Sequence, residues 1–201
     1  MKRLMTVVIG IAILSVTPEI FAQGITGSAH DFSSQDWNSS GEVCIVCHTP
    51  HNATTDVSNV PLWNHDVTSA TFNLYSSSTL DGTTGQPDGT TKLCLSCHDG
   101  TVAMDNFGGT TGGTEMMTGS ALVGTDLRDD HPVSISYNSV EDAELHDVTD
   151  PIDGGGTVDD LLFSNNVECA SCHDVHNTGG HAALLRISNE GSALCLSCHI
   201  K

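Results

Sequence analysis

All eight cysteines of this chain lie in copies of one pentapeptide, Cys-x-x-Cys-His. The copies place Cys44, Cys47 and His48 together, then Cys94, Cys97 and His98, Cys169, Cys172 and His173, and finally Cys195, Cys198 and His199. No cysteine is left over. The copies are of two kinds. In the first and third, a second histidine follows three residues after the first, then an asparagine: His51-Asn52 and His176-Asn177. The second and fourth share a longer identity, from Leu93 to His98 and from Leu194 to His199. The order A-B-A-B reads as two concatenated units of two motifs each, over 23–120 and 121–201, within one continuous domain.

Cys-x-x-Cys-His is the attachment signature of c-type haem. Two cysteines three apart on a helical turn lie on one face, so both sulfurs reach the two vinyl groups of one porphyrin as thioethers. The histidine that follows is placed to reach the iron from the same side. Zinc sites also use Cys-x-x-Cys pairs, and an exported chain could use its cysteines as disulfides. Neither alternative requires a histidine directly after every second cysteine. A thioredoxin-like redox pair wants a βαβ setting, which the sequence lacks. The spacing therefore predicts four covalently attached haems, held by Cys44, Cys47, Cys94, Cys97, Cys169, Cys172, Cys195 and Cys198, with His48, His98, His173 and His199 on the irons.

Of eleven histidines, seven lie outside the motifs: His30, His51, His65, His131, His146, His176 and His181. An electron-transfer haem that is low-spin takes a second strong ligand on iron. His51 and His176 share an offset, and each is too close to its own motif to wrap round to the far face of that haem. Each is expected to ligate a neighbouring one. His65 follows Trp63, a residue suited to packing on a porphyrin, and His131 is held extended by Pro132. His30 lies early enough for an arm to reach a neighbour. His146 and His181 sit in acidic and Gly-rich surroundings and read as solvated. Met104, Met116 and Met117 are the alternative sixth ligands, and would raise the potential.

Composition sharpens the need for a cofactor. Aromatic residues make up 4 % of 201 residues, and hydrophobic residues 38 % including the cysteines. Few large apolar side chains are available to offset the entropy of ordering, so the fold expected is irregular coil with little β structure. Short α-helices are expected only at the motifs and around 140–145. The acidic stretch 141–160 does not match the oxygen spacing of an EF-hand and reads as a solvated loop. A net charge of −19 argues against nucleic acid as a partner. Residues 1–22 read as a signal peptide, with Lys2 and Arg3 ahead of an apolar core, Leu4 to Val16, that is too short to span a bilayer. Cleavage there would leave an exported chain one unit more negative, with no stable membrane insertion.

The segments around these residues resemble multihaem c-type cytochromes with doubled Cys-x-x-Cys-His motifs from metal-reducing bacteria. They are 47–53, 61–65, 92–103, 131–135, 169–177 and 194–201. The four-haem count and small size are similar to the extracellular tetrahaem cytochromes that polymerise into conducting filaments. That resemblance implies a loop-rich fold, closely stacked haems and two histidines on each iron. It implies His51, His65, His131, His176 and His30 as candidates for the second ligand, one of which a filament would give to the next subunit. The partners implied are redox donor and acceptor proteins or extracellular metal oxides. Electron transfer, in a filament or as a soluble periplasmic shuttle, is the function expected. The alternative is a multihaem reductase with one open iron, and a zinc-binding module is the third reading.

Overall fold

The computed structural model describes residues 24–57, 60 and 62–200. The proposed signal peptide lies outside these residues. Most of the described chain is turn and coil. Helix α1 spans Gly89–His98, α2 spans Cys169–Cys172 and α3 spans Ala193–Leu196. Strands β1, Ile135–Ser136, and β2, Asn166–Val167, form one antiparallel two-stranded sheet. This is the fold class the sequence leads one to expect.

Three of the four motifs carry a helix. The first is a tight turn instead, closed by the His48 N–H on the Cys44 carbonyl at 2.8 Å. Its two inner residues, Ile45 and Val46, are β-branched and lose side-chain freedom in a helix. The helix expected at 140–145 is likewise a set of turns. Single 3-10 turns form away from the motifs, at Gly119–Ala121, Val158–Leu161, Ala182–Leu184 and Glu190–Ser192. They arise where one or two i+3 bonds suffice and no apolar face sustains a longer helix.

The side-chain core is small. Phe72, Leu95 and Leu127 form its centre, with Ala70, Leu74 and Val133 packed around them. Leu95 belongs to α1, so this cluster holds the second motif by its back. Polar bonds do comparable work nearby. Thr68 donates to Asp99 at 2.5 Å and takes its own backbone bond to Ser96 Oγ at 3.0 Å, and all three residues are buried. They fix the C-terminal end of α1, where His98 sits.

The A-type repeat is visible in the backbone. In the first copy Thr49 N–H donates to Leu62 O at 2.9 Å and Asn64 N–H to Cys47 O at 3.0 Å. In the third copy Asp174 N–H donates to Leu184 O at 2.7 Å and Arg186 N–H to Cys172 O at 2.9 Å. Each motif is thus followed by a loop that returns to bond the carbonyl of its second cysteine. Asn52 and Asn177, the asparagines shared by both copies, have φ of 58° and 51°. Asparagine enters this left-handed region at less cost than most residues, which explains its place after His51 and His176.

Candidate haem-attachment site

The four motifs lie against one another in sequence order. Cys47 is close enough to Cys94 and Cys97 to raise both thiols. Cys94 is hydrogen-bonded to Cys169, where α1 packs on α2. Cys172 is close to Cys195 and Cys198. Burial pushes the Cys47 thiol up to about 11, with Cys44 adding to it. Burial likewise raises Cys97 to about 12, helped by Cys47 and Asp99, and Cys198 to about 11, helped by Cys172 and Cys195. In the Cys94–Cys169 pair the shared hydrogen bond raises Cys94 and lowers Cys169.

Three motif histidines face a histidine from elsewhere. His48 and His176 are stacked with ring centroids 6.2 Å apart and planes 9° apart. His30 lies 6.0 Å from His98, and His131 lies 6.3 Å from His199. A metal between two imidazoles at about 2.0 Å from each nitrogen, with about 1.1 Å more to each ring centre, separates centroids by roughly 6.2 Å. All three spacings fit that requirement.

The tautomers fit as well. His98 Nδ1 lies 2.7 Å from Ala121 O, His173 Nδ1 3.0 Å from Ala183 O and His131 Nδ1 2.9 Å from Pro132 O. A ring that donates through Nδ1 keeps the Nε2 lone pair for a metal. His30 is half-buried, and its buried Nδ1 has no hydrogen-bond partner among the described residues. Burial, then the charges of His98 and His173, lowers its pKa to about 4, so it is neutral, as a ligand must be.

Around the fourth motif a cavity of about 250 Å³ is lined by Cys195, Cys198, His199 and His131 together. Ile135, Leu161 and Leu194 supply apolar wall, and Tyr137 closes one side. The buried Tyr137 hydroxyl donates to His146 O at 2.7 Å and also approaches Cys198 O at 3.3 Å. Both attachment sulfurs and both opposed histidines open onto one apolar space, which is the donor set a c-type haem requires. Among the described residues, no group of three or more His, Cys, Asp or Glu side chains converges as a metal-ion site.

Other sequence-derived candidates lie differently. His51 is exposed, with its backbone held by Thr49. His65 is 2 % exposed, with Nδ1 2.7 Å from Asp66 O and Nε2 3.0 Å from Ala103 O, so both nitrogens face carbonyls and the neutral ring donates to one of them. It also lies against Cys97 Sγ, at 3.6 Å from Nε2. Trp63 packs edge-on to His48, the histidine of the first motif, at 6.4 Å. His146 pairs with Asp150 at 3.2 Å.

Residues 163–201 match the family described as the doubled CXXCH motif. That match supports a multihaem c-type cytochrome. No curated protein matches the chain. The motifs indicate covalently bound c-type haem, whose iron would supply one-electron chemistry, and the family points to electron transfer. Cytochromes of this type are typically exported. No helix among the described residues is long and apolar enough to cross a membrane.

Two residues that matter here were not singled out from sequence. Arg186 donates to Ala170 O, inside the third motif, at 3.3 Å and to Asp160 O at 2.8 Å, and lies over Phe163. Glu168, directly before Cys169, is buried at the junction of α1 and α2. Its position next to a cysteine motif was the available signal.

Proposed function

We propose that this chain is a tetrahaem c-type protein that passes electrons along four closely spaced irons, each held by two histidines. What supports this most is the line of neighbouring thiols that runs from the first motif to the fourth through Cys47, Cys94, Cys169, Cys172 and Cys195. In this reading His48 pairs with His176, His98 with His30 and His199 with His131. The iron on His173 takes the repeat-equivalent partner, His51, by the same exchange that brings His176 to His48. The exposure of His51 favours giving it to a second copy, which would extend the line of haems into a filament.

The role is electron transfer rather than catalysis at an open iron. The described Lys and Arg residues are three: Arg128 is paired with Asp126 at 2.6 Å, Arg186 is tied to backbone carbonyls, and Lys92 lies on α1. Basic redox proteins and metal cations suit this acidic surface, outside the cytoplasm. The deciding experiment is haem counting by denaturing mass spectrometry together with electron paramagnetic resonance of the oxidised protein. Four haems and only low-spin signals are expected; fewer haems or a strong high-spin signal overturns the reading. Micrographs of purified material test the filament, which micrometre fibres support and a monodisperse monomer refutes.

A further inference from the structure

Glu168 is 3 % exposed and pairs with no cation among the described residues. Its Oε2 accepts from Thr91 N–H at 3.3 Å, in the first turn of α1, and from Ser134 Oγ at 3.1 Å. Asp88, the residue at the start of α1, makes no side-chain cap of its own. Thr91 returns the contact, its Oγ1 accepting from Cys169 N–H at 2.9 Å. Gly89 has φ of +52°, and a Cβ there would lie 3.6 Å from Oε1 of Glu168, so the chain passes close over the carboxyl. The carboxyl is thus built into the seam where Cys94 meets Cys169, between the second and third motifs.

Burial, together with the nearby Asp88, raises this carboxyl above its ordinary value, while the Thr91 and Ser134 hydrogen bonds partly offset the rise. The groups that face it are Asp88 ahead of α1, the neutral Ser134 before β1 and the Cys169 side chain of α2. Thioether formation would remove the Cys169 thiol from titration.

We propose that Glu168 is a redox-linked proton site, which binds a proton from solvent when an electron reaches the haems of the second and third motifs. This rests on the haem reading above. With ferric haems bound at the second and third motifs, their positive charge would hold Glu168 as carboxylate. An electron from a donor protein converts one ferric iron to ferrous and removes one positive charge. The carboxylate, without a cation partner, then takes up one proton to become the neutral acid. Reoxidation by the acceptor returns the electron and releases the proton. Linkage requires the reverse as well: protonation raises the affinity of these haems for an electron.

The test is a spectroelectrochemical titration of the haem-loaded full chain at a series of pH values, in wild type and Glu168→Gln. In the wild type the two reduction steps of these haems should weaken with rising pH, together by up to tenfold per unit, about 59 mV for the one proton they share. Those two steps should lose most of that dependence in Glu168→Gln. Unchanged pH dependence in the variant overturns the proposal. Redox-difference infrared spectra of the wild type keep the test independent of the variant's folding. A protonated-carboxyl band should appear on reduction, and its absence also overturns the proposal. Failure of the haem reading is distinguishable, because it would show no haem absorption at all.

Discussion

His48 and His176 face each other as parallel rings, although one belongs to the first motif and the other follows the third. The pair joins the two halves of the internal repeat. So do the Cys94–Cys169 contact and the reciprocal bonds between Thr91 and the start of α2. The two units proposed from sequence are therefore interleaved at their motifs, and a cut between them would separate opposed histidines.

Replacing His176 by Ala should convert one haem from low spin to high spin and leave the other three unchanged. Electron paramagnetic resonance reads this directly. His65→Ala should behave differently. Its ring is buried with both nitrogens on carbonyls, so its loss should cost about 3 kcal/mol of stability without creating a high-spin signal. A new high-spin haem in His65→Ala would instead place this histidine on an iron.

The His30 and His98 pair sets a pH limit. The unfolded chain takes up a proton on His30 below the ordinary histidine value of 6.5, whereas the folded site resists until about 4, chiefly because it is buried. This contribution to stability is complete above pH 6.5 and is lost as pH falls towards 4. Low-spin absorption of one haem should therefore persist at least down to about pH 4, and further where an iron competes with the proton for the same nitrogen. Collapse of that haem's spectrum well above pH 4 would show that His30 is not the residue held there.

Removing the haems should unfold the chain. The side-chain core centres on Phe72, Leu95 and Leu127, and few other large apolar residues are buried with them. A variant with every motif cysteine changed to Ala should show a coil-like circular dichroism spectrum and rapid amide exchange throughout. Retained cooperative melting would mean that the chain folds on its own side chains.

Arg186→Met keeps an apolar stem but deletes the bonds to Ala170 O and Asp160 O. It should lower stability by about 1–2 kcal/mol. It should also shift one reduction midpoint to more negative potential, because a cation beside the third motif is lost. An unchanged set of midpoints would confine Arg186 to a structural role.

Much of this was legible in the residues. The shared offset of His51 and His176 implied a histidine passed to another motif, and His176 lies against His48. The scarcity of aromatic residues, 4 % of the chain, implied a coil-rich fold. Helix at the first motif was not legible as absent, because the pentapeptide spacing is the same in all four copies. Only the β-branched pair inside it differs. Glu168 was hidden for another reason: a lone acid beside a motif reads as surface, and its burial depends on Thr91 and Ser134, which are remote in sequence. The buried His65 was equally opaque, since its carbonyl partners include Ala103, in a different loop.

The stacked pair of His48 and His176 also bears on the order in which the protein can be made. His30 and His131 leave the ribosome before the motif histidines they face, so those partners are waiting when His98 and His199 emerge. His48 emerges long before His176. A haem joined early to the first motif would keep one bare axial face until most of the chain had been synthesised, making the first centre begun among the last to be finished.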